Sequence, residues 1–528
     1  MGYSEQLCQI CGVSFNIARI RRPDEPRSAA WIYYGSDFVD AEGTIQNCGR
    51  KSGCMIVDRD LDEDVLQDPW KRRVVEGEDD EGGGDGNGEG EEFAPNAEDD
   101  EDDDEPPLLE QFVELMKHIA GPNCTNGNGY IGHRISLQEM QHCRVWQTLI
   151  RKTETFQSAP DDEAFERTED VFLSGISDDM PETMDGGSAE THPARHGVRK
   201  PNVTNGMIDS VYTDAKAACM PFHPWCLEVF KRASHAKSGE VDIAGLWGWY
   251  ENEADFEMFF AFPRAGPTTG LREQWWDHAV GSEWIVCNPL FMPTLSDELQ
   301  TTISSDPSFD VGQGAFDIPS SQLTPPTSTQ ETDPFTTLPA ELRLMILQDL
   351  PSQSIASLRL SSRAFRQLPI SLWHHLLLKE MPWFWEAHPS TPLPTYSFWT
   401  TKSEKDLKSH PVAPENRNPV PVPNTLDPTR TNWHRLYLLL KERENDEKYR
   451  SLRGLRNRER IWMDCQEILR RIEEYRARGE IPVEDVARLV RERTEGVRRR
   501  NRERMEARRR EQERDQGVVT HTEAAQML

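Results

Sequence analysis

At 528 residues, of which 36% are hydrophobic, and with a mean hydropathy of −0.71, the chain has room for about three domains but is too polar to be globular throughout. Its formal net charge of −31 is unevenly spread, since residues 76–105 are a Gly/Asp/Glu run while 488–514 are dense in arginine. No apolar run approaches the roughly 18–20 residues of a membrane span and MGYSEQLCQI lacks a signal-peptide core, which excludes a membrane or secreted class. An intracellular protein, cytoplasmic or nuclear, is expected, and its ten cysteines then read as reduced thiols or metal ligands rather than a disulfide scaffold.

In chain order, residues 1–75 form a cysteine-containing block and 76–107 a disordered acidic linker that repels itself and stays solvated. Over 108–150, Leu108, Leu109, Phe112, Leu115, Met116 and Ile119 suit an amphipathic helix stopped by Gly121-Pro122. The later stretch ISLQEMQHCRVWQTLIRK reads as a second helix. Residues 151–206 are polar and mostly flexible. Aromatics then crowd into 207–293, among them Trp225, Trp247, Trp249, Trp275, Trp276 and Trp284. Here 258–262 and 283–286 look strand-like, and 215–234 helical apart from Pro221 and Pro224. One small α+β globule is expected from 1–75, 108–150 and 207–293.

Residues 294–333 read as a flexible Ser/Thr/Pro tether. Residues 334–380 form a helical module, 381–432 a Pro-rich irregular segment and 433–480 a helical region. Residues 481–528 read as a basic Arg/Glu-rich helical tail, supported by i,i+4 pairs. Its triplets at 498–500 and 508–510 would suit nuclear import, but interleaved glutamates repel phosphate, so nucleic acid is not an expected partner.

The module at 334–380 holds the densest signal. Pro339 sits where a first helical turn tolerates a missing N–H, and Thr336 or Thr337 can cap it. Leu342, Met345, Ile346 and Leu350 recur at helical spacing and mark one buried face. Pro351 ends that helix, and Ser352 and Ser354 offer caps for a second carrying Ile355 and Leu358. A third begins near Ser361 or Ser362 with Phe365 and Leu368, and Trp373, Leu376 and Leu377 extend its apolar surface.

The ordered series Leu338-Pro339, Glu341-Leu342, Ile346-Leu347, Leu350-Pro351, Leu358, Leu360-Ser361, Arg363 and Phe365 resembles an F-box. The late Val-Ser usual in that family stands here as Leu360-Ser361, and the usual Trp as Phe365. The resemblance implies a three-helix module that docks on the Skp-family adaptor of a cullin–RING ubiquitin ligase. It implies Leu338, Pro339, Glu341, Leu342, Ile346, Leu347, Leu350, Pro351, Leu358 and Phe365 as adaptor-binding residues. The run LRGLRNRERIW is also similar to a segment found after the F-box in many fungal F-box proteins with a Cys-rich N-terminus, which suggests downstream helices packing back on the module. Independently of any family, so small a module cannot bury all its leucines internally, and those left exposed mark a partner surface.

Cys8-Gln-Ile-Cys11 before Gly12 is a knuckle-like turn that can present two thiolates to adjacent corners of a tetrahedral metal site. With the looser pair Cys48 and Cys54 it offers four ligands for a structural zinc; Cys124, His133, Cys143 and the pair His223 and Cys226 compete. The plainer alternative is that no cofactor is required and these are small buried side chains. A redox role has less support, because no thioredoxin-like pattern surrounds the CxxC. No GxSxG elbow, P-loop, HExxH or kinase signature is present, so the chain reads as non-catalytic.

The expected fold is multidomain and mainly α with an α+β N-terminal part, a three-helix F-box, and long disordered acidic and Ser/Thr/Pro-rich linkers. The expected function is the substrate-receptor subunit of an SCF-type ligase, with an unknown protein client. The alternative is a zinc-stabilised nuclear interaction or nucleic-acid-associated protein whose F-box serves a non-ligase complex.

Overall fold

The computed structural model describes residues 7–31, 48, 51–58, 73–74, 116–127, 129–152, 156–178, 195, 219–253, 256–268, 278–306, 308–312, 315–316, 333–388, 392–441 and 452–482. The acidic run 76–107, Trp275, Trp276 and the arginine triplets of the tail lie outside them. The chain divides into a smaller unit, 16–143 with 270–288, and a larger one, Met1–Phe15 with Arg144–Thr269 and Pro289–Leu528. Segments 1–75 and 108–150, expected in one globule, are each divided between the two.

In the smaller unit, β1 (Arg19–Ile20) pairs in parallel with β5 (Tyr130–Ile131), while β2 (Met55–Asp58) runs antiparallel between β3 (Arg73–Val74) and β4 (Met116–Ile119). The register sets Met55 opposite Ile119 and Ile56 opposite His118. Met55 and Ile119 form a small core with Val57 against it. Arg19 is buried because its charge is met: it pairs with Glu25 at 2.7 Å and donates to the carbonyls of Ala29 and Ile135. The helix expected over 108–119 is, where described, strand β4.

The larger unit begins with a knuckle at residues 7–14 and a three-stranded antiparallel sheet, in which β6 (Gln147–Arg151) lies between β7 (Val171–Leu173) and β8 (Cys219–Phe222). The stretch read as a helix around 135–152 is instead a run of turns leading into β6. All four residues from Gln147 to Ile150 are buried, so the strand shows no alternation in its sequence. A short α1 (Ala164–Thr168) connects β6 and β7.

Directly after β8 the chain turns into α2 (Pro224–Ser238), with Pro224 in the first turn and Gly239 closing the helix in the left-handed conformation. Next come α3 (Ile243–Glu253) and α4 (Phe256–Ala261). The expected strands at 258–262 and 283–286 are α4 and a 3-10 turn, because short apolar runs suit either state and burial arbitrates. Within 294–333, read as a tether, α5 (Leu295–Gln300) buries Leu295 and Leu299, and Phe316 is buried against Phe365.

Three further helices follow, α6 (Ala340–Asp349), α7 (Ser352–Ser361) and α8 (Ile370–Glu380), each entered directly after a proline. Strands β9 (Thr395–Tyr396) and β10 (Val420–Pro421) pair antiparallel, with α9 (Glu404–Ser409) between them in sequence. Helix α10 (Trp433–Lys441) packs on α8 through Trp373 with His434 and Tyr437, and His374 with Trp433. The long α11 (Arg453–Ala477) buries Ile461, Trp462, Cys465, Ile468, Leu469 and Ile472 and packs on α2 and α3. None of the described helices is long and apolar enough to cross a membrane.

Candidate functional site

Helices α6 to α8 close around an inner layer of Leu347, Ile355, Phe365, Leu372, Leu376 and Leu377, all buried. Polar ties fix their mutual placement. Asp333 accepts from Phe335 N at 3.0 Å, Ser362 Oγ at 2.6 Å and Ala364 N at 3.2 Å, so the entry to α6 is anchored to the exit of α7. Glu380, at the end of α8, accepts from Ser352 N at 3.0 Å and caps the start of α7. Tyr437 Oη donates to its other oxygen at 2.7 Å, and Lys441 lies 3.0 Å away. His375 Nε2 meets Gln348 O at 3.1 Å, joining α8 to α6.

The outer side of the same helices is open. Leu342 is 46% exposed, Met345 60% and Leu360 91%. The expectation that Leu342 and Met345 face inward is therefore overturned: helical spacing identifies one apolar stripe, and here part of that stripe faces water. Of the residues carried over from the F-box resemblance, Pro339, Glu341 and Pro351 are exposed. Leu338, Ile346, Leu350 and Leu358 are half-buried, and Leu347 and Phe365 belong to the sealed layer. Met345 and Leu360 are exposed as well, although neither was among the carried-over contacts.

Two clusters of cysteine and histidine form the second feature. In the larger unit, Cys8 and Cys11 of the knuckle meet His223 and Cys226. The knuckle is tight: Cys8 N donates to Val13 O at 3.0 Å, Gly12 N to Cys8 O at 2.8 Å, and Cys11 N points at Cys8 Sγ at 3.5 Å. Gly12 adopts φ +74°, and a Cβ there would lie 2.3 Å from Arg264 Cδ, so glycine is required twice over. Gln9 N donates to Pro221 O at 2.9 Å, laying the knuckle beside β8. His223 occupies the N-cap of α2 and Cys226 its first turn, so the strand-to-helix junction aims both at the knuckle. Cys11 Sγ lies 3.6 Å from His223 Nδ1, and Cys226 Sγ lies 3.9 Å from the same nitrogen.

In the smaller unit, Cys48 and Cys54 meet His118 and Cys124. Cys48 Sγ lies 3.4 Å from His118 Nε2 and 3.9 Å from Cys124 Sγ, and Cys124 Sγ lies 3.8 Å from that nitrogen. Gly121 N points at Cys54 Sγ at 3.4 Å. Cys48 is half-buried; the other seven residues of the two clusters are buried.

Each set of four lies within 4.8 Å and could hold a metal ion. Such crowding makes the groups compete for protons. Burial opposes ionisation of Cys11, yet hydrogen bonds from Cys226 and Cys8 and the charge of His223 hold its thiol well below the usual range. Burial, together with Cys11 and Cys8, pushes Cys226 well above it. Burial disfavours the His223 cation, but Cys8 and Cys11 outweigh it and push the imidazole up to about 10. In the smaller unit, hydrogen bonds from Cys124 and Cys48 hold Cys54 low, and Cys48 is pushed high by Cys124 and Cys54.

The four cysteines expected to share one site thus complete two different sets. Cys8 and Cys11 join the His223 and Cys226 pair, whereas Cys48 and Cys54 join Cys124 and His118. His133 instead meets the carbonyl of Ala120 at 3.1 Å, and Cys143 belongs to neither cluster. His118 went unnoticed in the sequence because its neighbourhood read as helix; only the β2–β4 register brings it beside Cys54.

Searches of curated proteins and of solved structures returned no match to the chain. One protein family, described as F-box-like, matches residues 335–379, from the turn before α6 to the last turn of α8. Helices α6 to α8 therefore form an F-box-like domain.

Proposed function

We propose that the chain is a substrate-receptor subunit of an SCF-type cullin–RING ubiquitin ligase. The observation that carries this reading is the exposure of the apolar side chains Leu342, Met345 and Leu360 on a helical module whose interior is already filled. Exposed apolar side chains on a well-packed small module are an unsatisfied contact surface, and the family's usual partner is a Skp-type adaptor. The chain supplies proximity and orientation, while ubiquitin transfer belongs to other subunits. A protein client is held by the rest of the larger unit. The two clusters serve as structural metal centres, since each brings together four ligands, the number that fills a tetrahedral zinc site.

Affinity purification of the wild type beside Leu338→Ala/Pro339→Ala and Met345→Asp tests the reading. Adaptor and cullin should accompany the wild type and fall by about tenfold or more with either variant, the loss expected when a desolvated anchor worth about 2 kcal/mol is removed. Clients should persist in all three. Adaptor capture undiminished by both variants, in protein with wild-type thermal stability, would sink the proposal.

A further inference from the structure

The geometry points to two zinc ions per chain, one held by Cys8, Cys11, His223 Nδ1 and Cys226, the other by Cys48, Cys54, His118 Nε2 and Cys124, with the first charge-neutral and sealed and the second open to exchange. This inference rests on the reading of both clusters as structural metal centres and goes on to name the ion, its stoichiometry and the difference between the sites. Zinc–sulfur bonds of about 2.3 Å and zinc–nitrogen bonds of about 2.0–2.1 Å give a tetrahedron with sulfur–sulfur edges of about 3.8 Å and sulfur–nitrogen edges of about 3.6 Å. The observed sulfur–nitrogen separations are 3.6 and 3.9 Å in the first cluster and 3.4 and 3.8 Å in the second, where the sulfur–sulfur separation is 3.9 Å. Edges of this length suit a single ion. Three soft thiolates with one imidazole in a tetrahedral set select zinc over the oxygen-seeking cations.

Charge supplies a second, independent argument at the first site. A divalent ion with three thiolates and a neutral imidazole carries one net negative charge. Two buried guanidinium groups face the knuckle: Arg264 Nη2 donates to Gln9 O at 2.9 Å, and Arg460 Nη1 donates to Cys11 O at 2.9 Å. Asp464, also buried, returns one negative charge through Arg460 at 3.4 Å and accepts from Ala265 N at 2.8 Å. The formal sum over the loaded site and these three residues is zero. With neutral thiols and no ion, the formal sum over the same groups would be +1, so the loaded site is the neutral arrangement of this buried set.

The second site differs in one corner. Cys48 is only half-buried, whereas all four ligands of the first site are buried. A chelator can replace an accessible thiolate first and then strip the ion stepwise; a fully enclosed site must open before it exchanges.

The test uses the full chain, purified from cells grown with added zinc and freed of loose metal by gel filtration. Elemental analysis should find two zinc per chain. Cys11→Ser and Cys124→Ser should each lower the count by one, and Cys226→His, which keeps a four-ligand set, should leave it at two. A chromophoric zinc chelator should release one equivalent quickly and the other only on unfolding, and Arg460→Met should speed the slow phase by about tenfold or more without altering the fast one. Should a serine variant fold poorly, tetrahedral cobalt absorption in the cobalt-loaded wild type replaces it as the readout. Folded protein with less than one zinc per chain, stoichiometric iron in its place, or a single release phase would each overturn the assignment. Metal content is read without the adaptor, so an adaptor-negative chain with two zincs fails the receptor reading alone, and an adaptor-positive chain without zinc fails this one alone.

Discussion

Arg458 sits in the middle of α11 with no access to water, and its neighbours explain why a cation is tolerated there. Its guanidinium donates to both oxygens of Glu386, at 2.7 and 2.9 Å, and its Nε donates to Pro289 O at 2.7 Å. It also lies 3.9 Å from the centre of the Trp385 ring. Replacing it by methionine should destabilise the larger unit by about 3–5 kcal/mol, because Glu386 is left as a buried charge without its partner. Denaturant unfolding followed by tryptophan fluorescence measures this. A loss below about 1 kcal/mol would show that Glu386 finds other compensation. In sequence Arg458 is indistinguishable from Arg470, which is exposed and pairs with Glu467 and Glu474 along its own helix. Residue type alone does not say which arginine of an Arg/Glu helix turns inward; the partner, 72 residues away, decides it.

At the scale of elements, the starts of α6 and α7 were readable because Pro339 and Pro351 enter them and need no tertiary information to do so, whereas the third helix, expected from Ser361 or Ser362, begins only at Ile370 after Pro369, residues 363–365 forming a 3-10 turn instead. The caps were less readable: the backbone of Ser352 is held by Glu380, from another helix, rather than by a local serine. Burial opposes ionisation of Glu380, but Tyr437, Lys441 and Ser352 together hold its carboxyl below the usual range. Its contribution to stability is present above the ordinary carboxylate pKa and is lost as pH falls through the lowered one. Glu380→Gln should therefore cost roughly 1 kcal/mol at neutral pH and converge on the wild type in acid. A penalty that grows in acid would contradict this sign.

Gly121 makes the matching point for strands. A Cβ there would come within 2.1 Å of Gly53 C and 2.2 Å of Ser52 O, while its amide points at Cys54 Sγ. Gly121→Ala should pry β4 from the Ser52 turn and lower zinc content by one equivalent, as elemental analysis would show. Retention of two would place the strain elsewhere. The sequence marks this glycine as a helix stop, whereas its use is the close approach of two backbones.

Over the whole molecule, the contacts that matter most join distant stretches of chain. Cys11 and His223 are 212 residues apart, and Cys48 and His118 are 70 apart. Closing loops of such length carries a large entropy cost in the unfolded chain, and a bound ion repays it on folding. Chelation during unfolding should therefore prevent refolding, and restored zinc should recover it, with circular dichroism as the measurement. Refolding at equal yield without metal would count against a structural role.

The F-box-like module was legible from sequence because its signals are local: Pro339 and Pro351 at two helix starts, leucines at fixed spacing, and one turn of helix setting each neighbour. The knuckle at Cys8 and Cys11 was legible for the same reason, since both ligands belong to one turn. What only the tertiary structure decided is which leucines stay wet, which arginines go dry, and which histidine joins which cysteines. Those outcomes depend on residues brought together by strand register and helix packing, and one sequence carries no record of separation in space.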